Sequence, residues 1–248
     1  MKKFSFIFSF LFFLLLWEIT IRITRFPVFI LPSPSIIFQK TLTVIENGLL
    51  LKHTLITLKE IIFGIILGTT AAFLLGYVLA RSKTFEKIFS PYIVGFQAIP
   101  IVALAPLVII WFGQNFLSKS LISALTLFFP VLLNTITGFR EIDQKYHLLF
   151  QSLCATRLQT LTKLEIPASL PILLTGLKIG VTLSVIGAVI GEFIASNEGL
   201  GFLISLAGGL YDTPLRFVAF FTLALIALTL YSAVNLLEKY LISWKNDN

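Results

Sequence analysis

The chain has one cysteine, two histidines and few charged residues. Cys154 is the only cysteine among 248 residues, so the chain forms no internal disulfide and no zinc site built from several cysteines. His53 and His147 stand far apart and lack the spacing of metal ligands, and we expect neither a metal nor another cofactor. Because no cluster of His, Cys or carboxylate residues is present, an enzyme is not indicated.

Apolar residues dominate the composition of the chain. Hydrophobic residues make up 57% of the chain, charged residues 12%, and the mean hydropathy is +0.96. An ordinary soluble domain is roughly a quarter charged, and about 20 apolar residues cross a bilayer as a helix. We therefore predict an all-α integral membrane protein with about six transmembrane helices, at residues 4–21, 61–80, 93–112, 117–136, 170–194 and 217–237. We expect a single transmembrane domain over residues 1–248, with core helices at 61–237.

The first apolar run follows two lysines. Lys2 and Lys3 before residues 4–17 also fit the basic start and apolar middle of a cleaved secretory signal peptide. No small-x-small cleavage site follows, and the chain continues into further apolar residues. A retained first helix at residues 4–21 is therefore the prediction.

The formal charge of +7 has a topological explanation. In a soluble protein an excess of Lys and Arg would suggest nucleic acid as a partner, but no basic patch with interleaved aromatic residues lies in a soluble segment. Basic residues of polytopic membrane proteins collect in cytoplasmic loops. Six spans place both termini on one side, and the excess of Lys and Arg there predicts cytoplasmic termini. Residues 22–60, interrupted by Pro32 and Pro34, become an external connection, and the polar stretch at 139–169 faces the cytoplasm.

Two spans carry small residues at helical spacing. Such a stripe lets two helix backbones approach closely. The second span contains Gly64, Gly68, Ala72, Gly76 and Ala80, and the fifth contains Gly176, Gly180, Ser184, Gly187 and Gly191. Both stripes indicate interior helices of a tight bundle, with a role in a solute path as the alternative. In the third span, Pro100 and Pro106 predict a kinked or interrupted helix.

Polar side chains inside apolar spans are candidates for a translocation path. We select Gln97, Asn134, Ser184 and Glu192, with hydrogen bonding between helices as the alternative role. Glu192 is ionisable and costly in hydrocarbon, so we expect it near the outer mouth, partly solvated. Lys178, in the same span, is expected either to extend to the inner interface or to serve the path.

A polar segment between the fourth and fifth spans, residues 148–171, reads LLFQSLCATRLQTLTKLEIPASLP. It resembles the coupling loop of binding-protein-dependent ABC importer permeases, in which Glu-Ala-Ala precedes a Gly and a hydrophobic-Pro pair closes the loop. Further motifs are similar to the nitrate, sulfonate, taurine and pyrimidine-precursor (riboflavin-like) branch of that family. These are Leu31-Pro32-Ser33-Pro34, Ile99-Pro100, Trp111-Phe112-Gly113, Phe128-Phe129-Pro130, Gly191-Glu192-Phe193 and Gly199-Leu200-Gly201. Together they cover most of the chain between residues 31 and 201.

The resemblance implies a type I ABC importer permease fold whose loop at residues 147–169 contacts a cytoplasmic ATPase. We expect a short helix at 148–156, a turn, and a second helix at 158–166 that Pro167 ends. The residues assigned to ATPase coupling are Leu149, Ser152, Cys154, Ala155, Thr156, Arg157, Ile166 and Pro167, with Arg157 and Lys163 as exposed cations.

Two departures from the family pattern bear on the coupling. The chain has Leu148-Leu149-Phe150 in place of Glu-Ala-Ala, and Cys154 in place of the loop Gly. The missing acid removes a polar contact with the ATPase. A cysteine also adopts positive φ less readily than glycine does.

The function implied is that of a permease subunit of an ATP-driven importer in the cytoplasmic (inner) membrane. Its implied partners are a cytoplasmic ATPase, an external solute-binding protein, membrane lipid and a second permease subunit, most simply an identical copy. No Gly-x-x-x-x-Gly-Lys loop for ATP is present, so hydrolysis is expected in the partner.

Two questions of function stay open at this point. The branch implies as solute either a nitrate-, sulfonate- or taurine-like anion or a thiamine-precursor pyrimidine or riboflavin-like ring. The abundance of aromatic residues and the stretch Gln97-Ala98-Ile99-Pro100 favour the ring compounds. An ATP-independent secondary transporter or channel is the alternative to the importer, although no internal repeat or paired intramembrane charge supports it.

Overall fold

A computed structural model describes residues 2–242, which form helices joined by short connections. In chain order the helices are α1 (Lys2–Thr24), α2 (Pro34–Glu46), α3 (Leu49–Arg81), α4 (Lys83–Ala98), α5 (Ile101–Phe112), α6 (Phe116–Arg140), α7 (Gln144–Ser152), α8 (Arg157–Thr160), α9 (Ile166–Ala195), α10 (Leu200–Gly209) and α11 (Thr213–Leu241). A π-helical turn at Leu161–Glu165 joins α8 to α9. Polar caps fix several helix starts: Asn115 and Ser118 form a reciprocal capping box at α6, and Asp212 caps α11.

All six predicted spans coincide with helices. α3, α6, the continuous run Arg157–Ala195 and α11 are each long and apolar enough to cross a membrane. α4 and α5 together form a fifth such segment, bent by 95°, and the 23-residue α1 contains the predicted first helix. The all-α membrane fold is therefore confirmed, and α2 and α10 are additional to the prediction.

α3 begins at Leu49, whereas the sequence predicted a span from residue 61. Polar residues lower the hydropathy of the first turns of α3, and some of their side chains pair with residues of other helices. Glu60, for example, pairs with Lys119 of α6 at 2.9 Å. The predicted external connection at residues 22–60 is therefore largely helical, formed by α2 and the first turns of α3.

The third span is interrupted, as its two prolines predicted. α4 ends at Ala98 and α5 begins at Ile101, with Pro100 as the N-cap of α5. Proline has no N–H with which to continue the hydrogen-bond ladder of α4. Non-helical backbone at membrane depth is tolerated where it is buried in protein or lines a cavity, and residues at this break line a cavity.

α6 packs between α3 and α9 and forms the centre of the bundle. The predicted small-residue stripes make both contacts. A Cβ added to Gly68 of α3 would lie 2.7 Å from the carbonyl oxygen of Ala124. On the other face of α6, a Cβ added to Gly180 of α9 would lie 2.9 Å from Val131 Cγ2. Both stripes are therefore packing surfaces, and larger residues there would separate the helices.

α1 is tied to the bundle at the start of α2 and along α11. The Glu18 carboxylate accepts hydrogen bonds from the backbone N–H of Ser35 at 3.0 Å and from its hydroxyl at 2.9 Å. The Trp17 ring packs against Phe217 with ring centroids 5.7 Å apart. These contacts join the first helix to α2 and to α11.

Candidate functional site

Residues 144–165, here named the coupling segment, form an exposed elbow between α6 and α9. Its first helix runs over Gln144–Ser152, so the predicted range 148–156 is wrong at both ends. Cys154 in the following turn has φ of +52°, the left-handed conformation that glycine would adopt most easily. Thr156 then begins α8 in a capping box. Cys154 therefore has a backbone conformation that favours glycine, at the position where the family pattern has one.

The prediction that Pro167 ends the second helix is wrong. α8, the π-helical turn and α9 run continuously from Arg157 to Ala195. The N–H of Ile166 bonds to the carbonyl of Leu161, five residues back. This wider turn places Pro167 at the start of α9, where its missing N–H is tolerated. The coupling segment is therefore a direct extension of a core helix.

Glu165 links the coupling segment to α3. Its side chain is 6% exposed and lies at the end of the π-helical turn. Arg81 of α3 donates to its Oε2 at 2.7 Å and also to the Tyr77 hydroxyl at 2.6 Å. His147 of α7 lies 3.9 Å from its other oxygen. The carboxylate therefore joins the coupling segment to α3, in addition to the direct continuation of the segment into α9.

Most residues assigned to ATPase coupling lie on the outside of the elbow. The exposed ones are Leu149, Ser152, Cys154, Thr156 and Arg157, while Ala155, Ile166 and Pro167 are half-buried. Two neighbouring apolar side chains, Leu153 and Leu158, are 68% and 69% exposed. An apolar patch on a polar elbow is typical of a protein interaction site.

A cavity of about 480 Å³ lies between the α4–α5 break and the faces of α6 and α9. α4 and α5 contribute Phe96, Gln97, Pro100 and Trp111 among others, α6 contributes Leu125, Thr126, Phe129 and Pro130, and α9 contributes Leu183. None of the lining residues is charged. The cavity is therefore chemically suited to an uncharged, largely apolar molecule.

The four side chains predicted for a solute path are not brought together. Gln97 lies on the wall of the cavity. Asn134 is half-buried and donates to the carbonyl of Pro130 at 2.8 Å. Ser184 and Glu192 are 0% and 1% exposed and lie between helices. Of the four, Gln97 is the one that lines this cavity.

Lys178 has partners on α11. Its Nζ donates to Asn235 Oδ1 at 3.0 Å and pairs with the carboxylate of Glu238. Its side chain is 15% exposed. The charge of Lys178 is therefore compensated within the bundle. The expectation that no paired intramembrane charge is present was wrong, because Lys178 pairs with Glu238 and Lys119 pairs with Glu60.

A polar network joins α3, α6 and α9 at the end of α9 opposite the coupling segment. Glu192 was expected to be partly solvated there, but this is wrong, because its side chain is buried. Thr57 donates to Glu192 Oε1 at 2.6 Å, and the backbone N–H of Gly201 donates to Oε2 at 2.5 Å. Glu60 pairs with Lys119 in the same network. These hydrogen bonds replace the water that the carboxylate loses on burial.

The start of α10 is held by side chains of α3 and α9. The N–H of Gly199 donates to His53 Nδ1 at 2.8 Å, next to the bond from Gly201 to Glu192. Gly199 has φ of +104°, and a Cβ on it would collide with the Glu192 carboxylate. A Cβ on Gly201 would lie 2.8 Å from Glu192 Oε2. The two glycines of this motif therefore make room for a buried carboxylate.

A second, polar cavity of about 410 Å³ lies beside this network. Lys119 donates to Ser196 on its wall at 2.9 Å. Lys52 pairs with Glu198 at 2.6 Å, and this hydrogen bond lowers the pKa of the Glu198 carboxyl below its usual range.

Among residues 2–242, no group of three His, Cys, Asp or Glu residues is arranged to hold a metal ion.

The apolar helices form a bundle in which a broken helix lies beside a cavity and an exposed elbow extends a core helix. This arrangement is typical of membrane transport proteins. Residues 61–246 match the model of the family described as binding-protein-dependent transport system inner membrane component. The chain belongs to this family, which confirms the resemblance seen in the sequence and makes it a multi-pass inner-membrane transport component.

Named relatives match almost the whole chain. The riboflavin transport system permease protein RibX of Chloroflexus aurantiacus is 42% identical over 94% of this chain and 87% of its own length. The formylaminopyrimidine transport permease protein ThiX of Halalkalibacterium halodurans is 36% identical over 95% of this chain and 94% of its own length. These matches favour a permease over the alternative of a secondary transporter or channel.

The fold resembles that of a solved transporter. A chain of the MetNI methionine ABC transporter, in an inward-facing conformation, aligns with a TM-score of 0.69 at 16% identity, over 78% of this chain and 96% of that chain. At this identity the likeness concerns the fold, and it confirms the type I importer architecture.

Proposed function

We propose that the chain is the solute-conducting subunit of an ATP-driven importer and that a separate cytoplasmic ATPase binds its coupling segment. The observation that carries the proposal is the continuity of this exposed, partly apolar segment with α9. A partner that moves the elbow thereby moves a core helix, and through Glu165 it also moves α3. The chain itself hydrolyses no ATP, and an external solute-binding protein delivers the solute.

The proposed orientation places the coupling segment and both termini in the cytoplasm. The excess of Lys and Arg on the side of the termini supports this arrangement. The Glu192 network then lies on the outer side, at the opposite end of α9. Large apolar side chains are exposed along α1, α3 and α11, as contact with lipid and with a second copy of the chain requires. We propose a homodimer of permease subunits on this basis.

The proposed solute is an uncharged ring compound, riboflavin-like or a thiamine-precursor pyrimidine. Relatives named for riboflavin and formylaminopyrimidine transport support this class. The uncharged lining of the 480 Å³ cavity supports it independently. A nitrate-, sulfonate- or taurine-like anion would be expected to meet Arg or Lys side chains there.

Two substitutions on the coupling segment test the ATPase contact. Ala155→Asp and Arg157→Asp, singly or together, place negative charge on the elbow without entering an apolar span. We expect the amount of ATPase that co-purifies with the chain to fall at least several-fold, while membrane insertion is unchanged. Lys239→Asp is the matched control, because it makes the Arg157 charge change near the end of α11, outside the segment.

Co-purification of the ATPase at the wild-type ratio with the doubly substituted chain would refute the assignment of the coupling segment. A loss of ATPase with the Lys239→Asp control would show that the effect comes from charge alone. Quantification of both subunits on one gel, normalised to the permease, separates these results.

A further inference from the structure

The cavity beside the α4–α5 break has the size and the walls of a site for a flat ring. Its volume of about 480 Å³ lies within the range of about 300–1,000 Å³ that is typical of small-molecule sites. Phe96, Trp111 and Phe129 contribute aromatic surface, and Pro100 and Pro130 contribute rigid apolar surface. Aromatic side chains stack favourably on planar rings.

Two polar side chains interrupt this apolar wall. Gln97 is exposed, and its carboxamide offers both hydrogen-bond donors and an acceptor. Thr126 donates to the carbonyl of Ile122 at 2.7 Å. A Cβ added to Gly187 of α9 would collide with the Thr126 hydroxyl, so α9 packs directly against Thr126 and fixes it. Gln97 therefore offers hydrogen bonds from a neutral group, and the wall contains no ionic partner.

We propose that the permease chain itself binds an uncharged planar heterocycle in this cavity, with its faces against the aromatic side chains and its polar edge hydrogen-bonded to Gln97. This inference rests on the proposed importer function. It adds that the membrane subunit takes part in selecting the solute, in addition to the external binding protein. Gln97 is then a residue that determines specificity.

The test measures riboflavin binding to the permease with its ATPase in lipid nanodiscs, without the solute-binding protein. Trp17→Phe and Trp244→Phe leave Trp111 as the one tryptophan of the chain. Stacking of the flavin on an aromatic wall is expected to quench Trp111 fluorescence saturably. Gln97→Leu is expected to raise the dissociation constant about tenfold, the effect of one lost hydrogen bond to the ligand. Gln114→Leu, the same change at an exposed glutamine outside the cavity, should leave it unchanged.

Three results would overturn the inference. Saturable binding that Gln97→Leu does not weaken would place the ligand elsewhere. Brominated lipid chains could quench the fluorescence of Trp111. If added riboflavin did not relieve this quenching, an acyl chain would occupy the cavity.

The third result is an absence of binding to the assembled transporter while cells take up riboflavin through this chain. It would refute the cavity site and leave the importer function intact. If both riboflavin binding and uptake fail, the proposed solute class fails with the site.

Discussion

Replacing Lys119 by Met is expected to destabilise the protein strongly, because it removes the ionic partner of a buried carboxylate. The side chains of Lys119 and Glu60 are 10% and 1% exposed, and the pair is 2.9 Å apart. The second Glu60 oxygen has no hydrogen-bond partner among the described residues, so Lys119 provides most of the compensation for burial. Breaking a buried pair by removing one partner costs about 3–5 kcal/mol.

The double variant Lys119→Met/Glu60→Leu gives the decisive comparison. Replacing both members of a buried pair by apolar residues of similar size is often nearly neutral, so the double variant should recover most of the loss. The Lys52–Glu198 pair is the control, because its side chains are 60% and 49% exposed, and the coupling of such an exposed pair should be much smaller.

The measurement is the free energy of unfolding in mixed detergent micelles for the wild type, both single variants and the double variant. A coupling of about 2 kcal/mol or more between positions 60 and 119 is expected. Losses that add within about 0.5 kcal/mol, as for independent sites, would refute the reasoning.

Three further perturbations follow from the packing and from the coupling segment. Gly68→Val should lower stability by about 1–3 kcal/mol, because the larger side chain overpacks against α6. Gly95→Val is the control and should cost less than half as much, because an added Cβ there meets no atom within 4 Å. Equal midpoints of thermal unfolding for the two variants would contradict this. Cys154→Gly should stabilise the turn by about 0.5 kcal/mol, because it relieves the positive φ, and a lower unfolding midpoint would speak against the strain. Glu165→Gln should weaken the hydrogen bond from Arg81 while the ATPase stays bound. Solute uptake per ATP hydrolysed, measured in proteoliposomes, should then fall. An unchanged ratio of uptake to ATP hydrolysis would show that the contact is structural.

The helix bundle was predictable because its signals are local. Apolar runs of about 20 residues mark the spans, and small residues three or four apart mark the α3 and α9 faces that pack on α6. Pro100 removes a backbone donor, which predicted the break between α4 and α5. Each of these signals acts within one helix, so no knowledge of partner helices was needed.

The polar contacts were not predictable because they depend on partners far away in the chain. The first turns of α3 contain polar residues, and only the structure shows that Glu60 pairs with Lys119 of α6. Glu192 looks too costly to bury until Thr57 and the start of α10 supply hydrogen bonds. Pro167 suggests a helix end in the sequence, but the π-helical turn before it accommodates the backbone N–H that proline lacks.

The candidate site was partly predictable. Motif order located the coupling segment, and the polarity of Gln97 within an apolar span made it a candidate, because both signals lie in contiguous stretches of sequence. Glu165 and Arg81 were missed, since their pairing joins residues 84 positions apart. Thr126 was missed as well, because nothing in the local sequence of α6 shows that it faces the α4–α5 break.

The most direct test concerns the side of the membrane on which the coupling segment lies. Cys154 is exposed and is the one cysteine of the chain, so a membrane-impermeant maleimide reports its location without further engineering. We expect no labelling in intact cells and strong labelling in inverted membrane vesicles stripped of the ATPase, with protection when the ATPase is added back. Labelling of Cys154 in intact cells would place the elbow outside and contradict the importer mechanism.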